Sequence, residues 1–229
     1  AGEVSVAVAA NFTAPMQKIA NLFEQDTGHK ATLAFGSTGR FYAQIKNVAP
    51  FDLLLSADDE TPAKLAREGL AVDASRFTYA IGKLALWSKQ PGLVDAQGLV
   101  LKSGTFDKIA VADPKLAPYG AAAVEVMTHL GVLNTLRPKF VQGENIAQTH
   151  QFVATQNAQL GFVALSQVLA GGKLKSGSMW IVPKALYSPI RQDAVVLQRA
   201  AGNEAAQALV TLLKSPNIQD LIRSYGYDI

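Results

Sequence analysis

Short apolar runs alternate with amphipathic segments through the first third of the chain. The runs have the length of β-strands, and three strands are predicted, at residues 4–9, 30–35 and 52–56. Helices are predicted between and after them, at residues 14–28, 40–46 and 61–69. Thr13 is the expected N-cap of the first helix, whose apolar stripe contains Met16, Ile19, Ala20 and Phe23. The alternation predicts an α/β fold with a mostly parallel sheet that is covered by helices on both faces.

The same alternation restarts after Ser75. Further strands are predicted at residues 84–88, 109–111, 160–165 and 179–182, and further helices at residues 120–130 and 146–155. These elements suffice for a second sheet. The C-terminal part is helical: Asn203 caps one helix, Pro216 begins the next, and Gly226 ends it. Because no flexible linker separates the two parts, two lobes would be joined by short extended crossings.

The composition is that of an ordinary globular protein. Hydrophobic residues make up 49% and charged residues 17% of the 229 positions. No apolar run approaches the roughly 20 residues that a membrane span requires, so membrane insertion is not expected. Lysine and arginine number 21 against 18 acidic residues, and the net charge of +3 is scattered. Without basic clusters and interleaved aromatic residues, nucleic acid is not an expected partner, and the near-neutral charge favours a monomer.

Residues for metal binding and catalysis are scarce. The chain has no cysteine, and its three histidines, His29, His129 and His150, lie far apart, so no protein-built metal site is expected. No G-x-S-x-G, S-x-x-K or H-E-x-x-H motif occurs. The cluster at residues 58–60 (Asp-Asp-Glu) directly precedes a predicted helix; acids at a helix N-terminus explain it better than a catalytic carboxylate pair. These absences argue against an enzyme.

Four junctions share one form, in which a short, small or polar turn without charge leads into a helix. They are Ala10-Asn11-Phe12-Thr13, Gly36-Ser37-Thr38-Gly39, Pro118-Tyr119-Gly120-Ala121 and Asn145-Ile146-Ala147. Each presents backbone N–H groups and the positive end of a helix dipole, and three add a hydroxyl or amide, which suits an anion. Such a junction is common in α/β proteins, and the turn at 36–39 lacks the Gly-Lys-Ser/Thr ending of a phosphate-binding loop. The four together carry the prediction.

The lack of charge in these turns indicates which anion they suit. A buried dianion must be surrounded by donors, because an uncompensated charge is costly to take out of water. Donors without acceptors favour a fully deprotonated oxyanion, since an acidic proton on the guest would need an acceptor. Glu144 is the one carboxylate beside these turns, and we expect it to point away.

The chain resembles the periplasmic molybdate-binding proteins of bacterial ABC importers over nearly its whole length. The order and spacing of several short motifs carry the resemblance: Val-Ala-Ala-Asn-Phe-Thr at 8–13, Phe-Gly-Ser-Thr-Gly at 35–39, Asp-Leu-Leu-Leu-Ser-Ala-Asp at 52–58, Pro-Tyr-Gly at 118–120, Leu-Gly-Phe-Val at 160–163, Ser-Pro at 215–216 and Tyr-Gly at 225–226. None of them is specific alone.

The resemblance implies a two-lobed type II periplasmic binding protein fold. Each lobe would be a mostly parallel sheet flanked by helices. Lobe I would hold residues 1–80 and 194–229, and lobe II residues 81–193, with two crossings between them. The resemblance also implies a periplasmic location. The start at Ala1, which runs directly into a strand, is typical of a mature secreted protein, although a trimmed chain would look the same.

The resemblance further implies molybdate, and with it tungstate, as the ligand, with neither cofactor nor catalysis. The tetrahedral oxyanion would be held in the interlobe cleft and delivered to a membrane ABC permease in a transient complex. In the first turn Asn11, beside Ala10, would donate through its side-chain amide and its backbone N–H. Ser37 would donate through its hydroxyl. In the second lobe, Tyr119 and Ile146 would donate through the backbone.

One departure concerns the tyrosine donor that commonly follows the Gly-x-Val strand, where this chain has Ala164. The phenol of Tyr119, at a position usually small, could supply the lost bond. The alternative is that Tyr119 is only a surface aromatic residue at the mouth of the cleft.

Five other functions stay open at this point. The first is a sulfate-type or general carrier of tetrahedral oxyanions. The effector part of a transcription regulator would need a helix-turn-helix segment, for which no residues remain. A carrier of amino acids would need an arginine and an acid in the cleft, and a ferric carrier usually needs adjacent tyrosines; Tyr225 and Tyr227 are expected to pack instead. An enzyme would need an acid or base in the site.

Overall fold

The structure is a computed structural model that describes residues 1–229. Its strands are β1 (Glu3–Ala9), β2 (Lys30–Gly36), β3 (Leu53–Leu55), β4 (Phe77–Gly82), β5 (Leu84–Ser88), β6 (Ile109–Ala112), β7 (Phe140–Gly143), β8 (Leu160–Ala164), β9 (Leu169–Ala170), β10 (Lys173–Leu174), β11 (Ser178–Ile181) and β12 (Ile190–Val196).

The α-helices are α1 (Thr13–Thr27), α2 (Thr38–Lys46), α3 (Glu60–Arg67), α4 (Val100–Ser103), α5 (Pro118–His129), α6 (Leu133–Leu136), α7 (Ile146–Ala154), α8 (Leu165–Val168), α9 (Glu204–Leu213) and α10 (Pro216–Ser224). Short 3₁₀ turns occupy Ala10–Phe12, Asp73–Ser75, Arg137–Lys139, Lys184–Leu186 and Gln198–Ala200. None of these helices combines the length and the apolar character that crossing a bilayer requires.

The chain divides into two compact units. The first consists of Ala1–Ile81 and Arg191–Ile229, and the second of Gly82–Ile190. The chain therefore leaves the first unit at the end of β4 and returns to it at the start of β12. The lobe boundaries given by the sequence remain a prediction.

The first unit contains a five-stranded sheet in the order β2-β1-β3-β12-β4. Strand β1 runs parallel to β2 and β3, whereas β12 is antiparallel to β3. One face of the sheet packs on α1, α9 and α10, through residues such as Phe23 and Leu209. The other face packs on α2 and α3 through Phe41 and Leu65. Both faces are thus covered, which the alternation of the sequence predicted for a parallel α/β sheet.

The second unit contains another five-stranded sheet, in the order β11-β5-β8-β6-β7. Strand β6 is parallel to β7 and β8, and β5 is antiparallel to β8 and β11. Part of its core lies where Val153 of α7 packs with Ala85, Trp87 and Val163 of the sheet. The pair β9 and β10 forms a separate two-stranded hairpin.

The start of α1 differs from the prediction. Thr13 is the first helical residue, and Phe12 occupies the N-cap position without a side-chain bond. The Thr13 hydroxyl instead donates to the carbonyl oxygen of Ala10 at 2.7 Å, which tightens the 3₁₀ turn before the helix. The predicted end of the helix is confirmed, because Gly28 has a φ of 76°, the left-handed conformation that favours glycine.

Candidate anion-binding site

Three segments meet at one edge of the first sheet. Strands β1, β2 and β3 are parallel neighbours, so the residues that follow their carboxyl ends lie along the same edge. Ala10 and Asn11 follow β1, Ser37 follows β2, and Ser56 follows β3. The structure therefore brings the predicted residues Ala10, Asn11 and Ser37 together, and we call these three the first half-site.

Ser37 is the N-cap of α2. Its Oγ accepts a hydrogen bond from the backbone N–H of Arg40 at 3.2 Å, which satisfies one of the amides at the helix start. The cap uses a lone pair of the hydroxyl and not its proton. The hydroxyl proton and the backbone N–H of Ser37 make no hydrogen bond to another residue, although Ser37 is only 5% exposed. These are the donors an oxyanion would use.

Thr38 fixes the start of α2 on the end of β3. Its hydroxyl oxygen accepts the backbone N–H of Ala57 at 2.9 Å, and the side chain is buried. The helix N-terminus therefore has a defined position relative to β3. That position is what a preorganised donor group requires.

Asn11 lies in the 3₁₀ turn after β1 and is buried. Its side-chain Nδ2 donates to Oε1 of Gln192 at 2.9 Å and to the hydroxyl of Tyr227 at 2.8 Å. A carboxamide has only two N–H bonds, and both are used within the first unit. The expectation that the Asn11 amide donates to the anion stays a prediction, and in this structure the side-chain Nδ2 already donates to two acceptors.

The predicted residues of the second unit also share one edge. Strands β6 and β7 are parallel neighbours, α5 follows β6, and α7 follows β7, so the two helices begin at the same edge of the sheet. Tyr119 lies in the first turn of α5 and Ile146 is the first residue of α7. We call these two residues the second half-site. Their N–H groups belong to first turns, which have no acceptor within the helix itself.

Tyr119 is buried, with 1% of its surface exposed. The alternative that it is a surface aromatic residue is therefore wrong. Pro118 precedes it at the first helical position, where the missing N–H costs nothing. Helix α5 thus begins two residues earlier than predicted, because Pro118 and Tyr119 belong to its first turn.

Gly120 sets the close approach of α5 to the end of β6. A Cβ built on Gly120 would lie 2.1 Å from the carbonyl oxygen of Ala112. Only glycine leaves room for this contact. The first turn of α5, with Tyr119, is therefore held against the carboxyl end of β6.

Ile146 is positioned by side-chain bonds on both sides of it. Oδ1 of Asn145 accepts from the N–H of Gln148 at 2.9 Å, and Oε1 of Gln148 accepts from the N–H of Glu144 at 2.7 Å, a variant of the capping box. Nε2 of Gln167 donates to the carbonyl oxygen of Ile146 at 3.1 Å. Ile146 itself is buried, whereas Glu144 is exposed.

The acidic cluster at residues 58–60 is structural. The carboxylate of Asp58 accepts from the hydroxyl of Ser56 and from the N–H and hydroxyl of Thr61, which satisfies the start of α3. Burial raises the pKa of Asp58 above its usual value, although these hydrogen bonds oppose the shift. Asp59 and Glu60 are exposed. The interpretation as helix N-terminal acids is confirmed.

Gln192, Tyr79 and Tyr227 contact the first half-site or its support and were not identified from the sequence. Tyr227 was expected to pack, and it does, with its ring centroid 5.5 Å from that of Phe12. Its hydroxyl contact with Asn11 was missed. The bond between Asn11 and Gln192 joins residues 181 positions apart. No local pattern indicates such a bond.

Both units have helix starts at the carboxyl edge of their sheet, the edge at which open α/β sheets bind small ligands. The chain belongs to the family of bacterial extracellular solute-binding proteins, whose model matches residues 4–228. This membership confirms the prediction of a binding protein without enzymatic activity.

One curated relative and two solved structures are similar to this chain over nearly its whole length. The molybdate-binding protein ModA of Azotobacter vinelandii is 60% identical over 229 residues, which is 100% of this chain and 91% of that protein. The solved periplasmic molybdate-binding protein of A. vinelandii matches with a TM-score of 0.94 and 41% identity over 99% of each chain. The substrate-binding domain of a molybdenum ABC transporter from Clostridium difficile matches with a TM-score of 0.72 and 26% identity over 100% of this chain and 99% of that one. The predicted fold class and resemblance are confirmed.

Proposed function

We propose that this protein captures molybdate and delivers it to an ABC permease. The observation that carries the proposal is that the residues matching the family's anion donors begin helices or turns at the carboxyl edges of the two sheets. The full-length similarity to molybdate-binding proteins supports the choice of ligand. Tungstate, which is alike in charge and size, is the second expected ligand.

Binding rests on neutral hydrogen-bond donors. In this proposal one dehydrated dianion takes bonds from the first half-site, through Ala10, Asn11 and Ser37, and from the second, through Tyr119 and Ile146. Each bond to the charged guest contributes about 1.5 to 3 kcal/mol. A protonated oxyanion would need a hydrogen-bond acceptor for its proton. The proposed site offers donors for the anion, namely backbone amides and one hydroxyl, and no carboxylate. A fully deprotonated oxyanion is therefore preferred.

The proposal also covers the location, the partner and the oligomeric state of the protein. The two units act as the lobes of a periplasmic carrier, and the loaded carrier docks transiently on a membrane permease. The C. difficile relative, named as part of a molybdenum ABC transporter, supports the permease as partner. The carrier acts as a monomer and does not bind nucleic acid, which the scattered charge of +3 supports.

Calorimetric titration with molybdate, tungstate, sulfate and phosphate tests the ligand. We expect molybdate and tungstate to bind with dissociation constants within about tenfold of each other. The shorter bonds of sulfate leave donors unpaired at roughly 1 to 3 kcal/mol each, so with two unpaired donors sulfate should bind at least about thirtyfold more weakly. Comparable binding of sulfate would make the protein a general oxyanion carrier, and no binding of any of the four would refute the proposal.

Replacement of Ser37 by alanine removes the hydroxyl donor. The dissociation constant for molybdate should rise about tenfold to hundredfold, the equivalent of one hydrogen bond to a charged group. The variant also loses the N-cap of α2, at about 1 kcal/mol of stability. Asn203→Ala is the control, since Asn203 caps α9 in the same unit. It should lose similar stability and keep its affinity; equal affinities of both variants would contradict the role of Ser37.

The phenol of Tyr119 is the proposed substitute for the tyrosine donor that is absent at Ala164. Tyr119→Phe keeps the buried ring and removes only the hydroxyl. We expect a rise in the molybdate dissociation constant of about tenfold, as for one lost hydrogen bond to a charged guest. Titration of the variant measures it. An unchanged dissociation constant would leave only the backbone of Tyr119 in the site.

A further inference from the structure

Four buried polar side chains form a continuous hydrogen-bond network beneath the first half-site. Asn11 donates to Gln192 and to Tyr227, as described above, and Nε2 of Gln192 donates to the hydroxyl of Tyr79 at 3.0 Å. The hydroxyl of Tyr79 donates to the carbonyl oxygen of Ser56 at 2.8 Å. All four side chains are at most 3% exposed. We call Asn11, Tyr79, Gln192 and Tyr227 the carboxamide network.

The protons of this network have one consistent arrangement. The hydroxyl of Tyr227 donates to the carbonyl oxygen of Asn11 at 2.8 Å, and that of Tyr79 donates to Ser56. Each phenol has one proton, so toward the amides both phenols can only accept. If either carboxamide were turned over, it would need a phenol proton that a buried carbonyl oxygen already receives. The orientation of Asn11 is therefore fixed by its neighbours.

Tyr227 contacts Asn11 twice. Its hydroxyl accepts from the Asn11 side chain and donates to the Asn11 backbone, so one oxygen atom restrains both the χ angles and the peptide of the residue. Gln192 holds the same side chain from β12. The chain leaves the first unit at β4 and returns to it at β12. Through Gln192 on β12 and Tyr79 on β4, the network connects Asn11 to both of these strands.

We propose that Gln192 and Tyr227 are positioning residues for the oxyanion donor at Asn11. They touch Asn11 and not the guest, and they hold its backbone N–H in the orientation that binding needs, so that no reorganisation is required when the anion arrives. This inference rests on the proposed function. It adds that the Asn11 side chain serves as an anchor within the protein and does not bind the anion.

Titration of Tyr227→Phe and Gln192→Leu with molybdate tests the inference. Phenylalanine keeps the packing on Phe12 and removes both contacts of the hydroxyl with Asn11. We expect each variant to raise the dissociation constant about tenfold. Thr78→Val is the matched control, because it removes a partly buried hydrogen bond of 2.6 Å from the Thr78 hydroxyl on β4 to the Asp193 carboxylate on β12 and removes no bond to Asn11. Its melting temperature without ligand should fall, but its affinity should stay within about twofold of the parent.

The outcomes separate the two proposals. If the unaltered protein binds no molybdate, the proposed function fails. If it binds and all three variants bind within twofold of one another, the function stands and the positioning role is overturned.

A measurement on the unaltered protein covers the case in which a variant does not fold. In ¹⁵N-labelled protein, molybdate should shift the backbone amide resonance of Asn11 and leave its side-chain NH₂ pair nearly unchanged. The NH₂ pair should also exchange slowly with solvent, since both protons are buried in bonds. A large downfield shift of the NH₂ pair on binding would mean that the side chain donates to the anion, and it would overturn the inference.

Discussion

Replacement of Ile146 by proline should abolish most of the molybdate affinity while the fold remains. Ile146 is the first residue of α7, where proline is favoured because its φ fits and no N–H is needed inside the helix. The preceding residue, Asn145, has the extended backbone (φ −147°, ψ 175°) that a residue before proline prefers. The substitution therefore deletes one proposed donor and leaves the helix intact. An oxyanion oxygen without its partner costs more than about 3 kcal/mol, which raises the dissociation constant more than a hundredfold.

Ile146→Ala separates the lost donor from the lost side chain. Ile146 is buried, so both variants lose packing and both should melt at a lower temperature. Only the proline variant lacks the N–H. Calorimetric titration should find the alanine variant within about tenfold of the parent and the proline variant far weaker. Equal affinities would show that the backbone of Ile146 does not contact the anion.

The elements that were predicted are specified by residue patterns within the element itself. Strand β12, which was missed, depends on contacts with residues that are distant in the sequence. Strand β1 and the helices with clear stops, such as α1 before Gly28, follow from periodicity and backbone preference. Strand β12 was not predicted, because Arg191, Gln192 and Asp193 interrupt the apolar pattern of its first half. Its polar residues are accommodated by partners on β4, Tyr79 for Gln192 and Thr78 for Asp193. A sequence pattern does not contain those partners.

The candidate site also contains residues that a local pattern indicates and residues whose role depends on distant parts of the chain. The junctions that contain Ser37 and Ile146 were predicted because each leads into a helix, and a helix start offers donors whatever the rest of the chain does. The family resemblance then singled out these two residues. For Asn11 the sequence indicates a residue type with both donors and acceptors, but which of them face inward depends on residues 181 and 216 positions away. The anchoring role of the Asn11 side chain is therefore a property of the tertiary structure.

Replacement of Gly120 by alanine should damage both stability and binding. The added Cβ would lie 2.1 Å from the carbonyl oxygen of Ala112 and 2.7 Å from its carbonyl carbon, which are rigid backbone atoms at the end of β6. The first turn of α5 must therefore move, and Tyr119 moves with it. We expect a loss of about 3 kcal/mol in the free energy of unfolding and a melting temperature lower by on the order of 10 °C. The misplaced donor should weaken molybdate binding about tenfold to hundredfold, the equivalent of one lost hydrogen bond to a charged guest.

Gly202→Ala is the control for the general effect of replacing a glycine. Gly202 has no heavy atom within 4 Å of a built Cβ and its φ is outside the left-handed region, so the variant should be neutral or more stable by about 0.4 to 1 kcal/mol. Thermal melts and titrations of both variants, with and without molybdate, make the comparison. If Gly120→Ala melts and binds like Gly202→Ala, the start of α5 can shift without consequence, and Tyr119 does not hold the anion through its backbone. If Gly120→Ala loses stability but keeps its affinity, the close approach of α5 to β6 serves the fold alone, and the second half-site rests on Ile146.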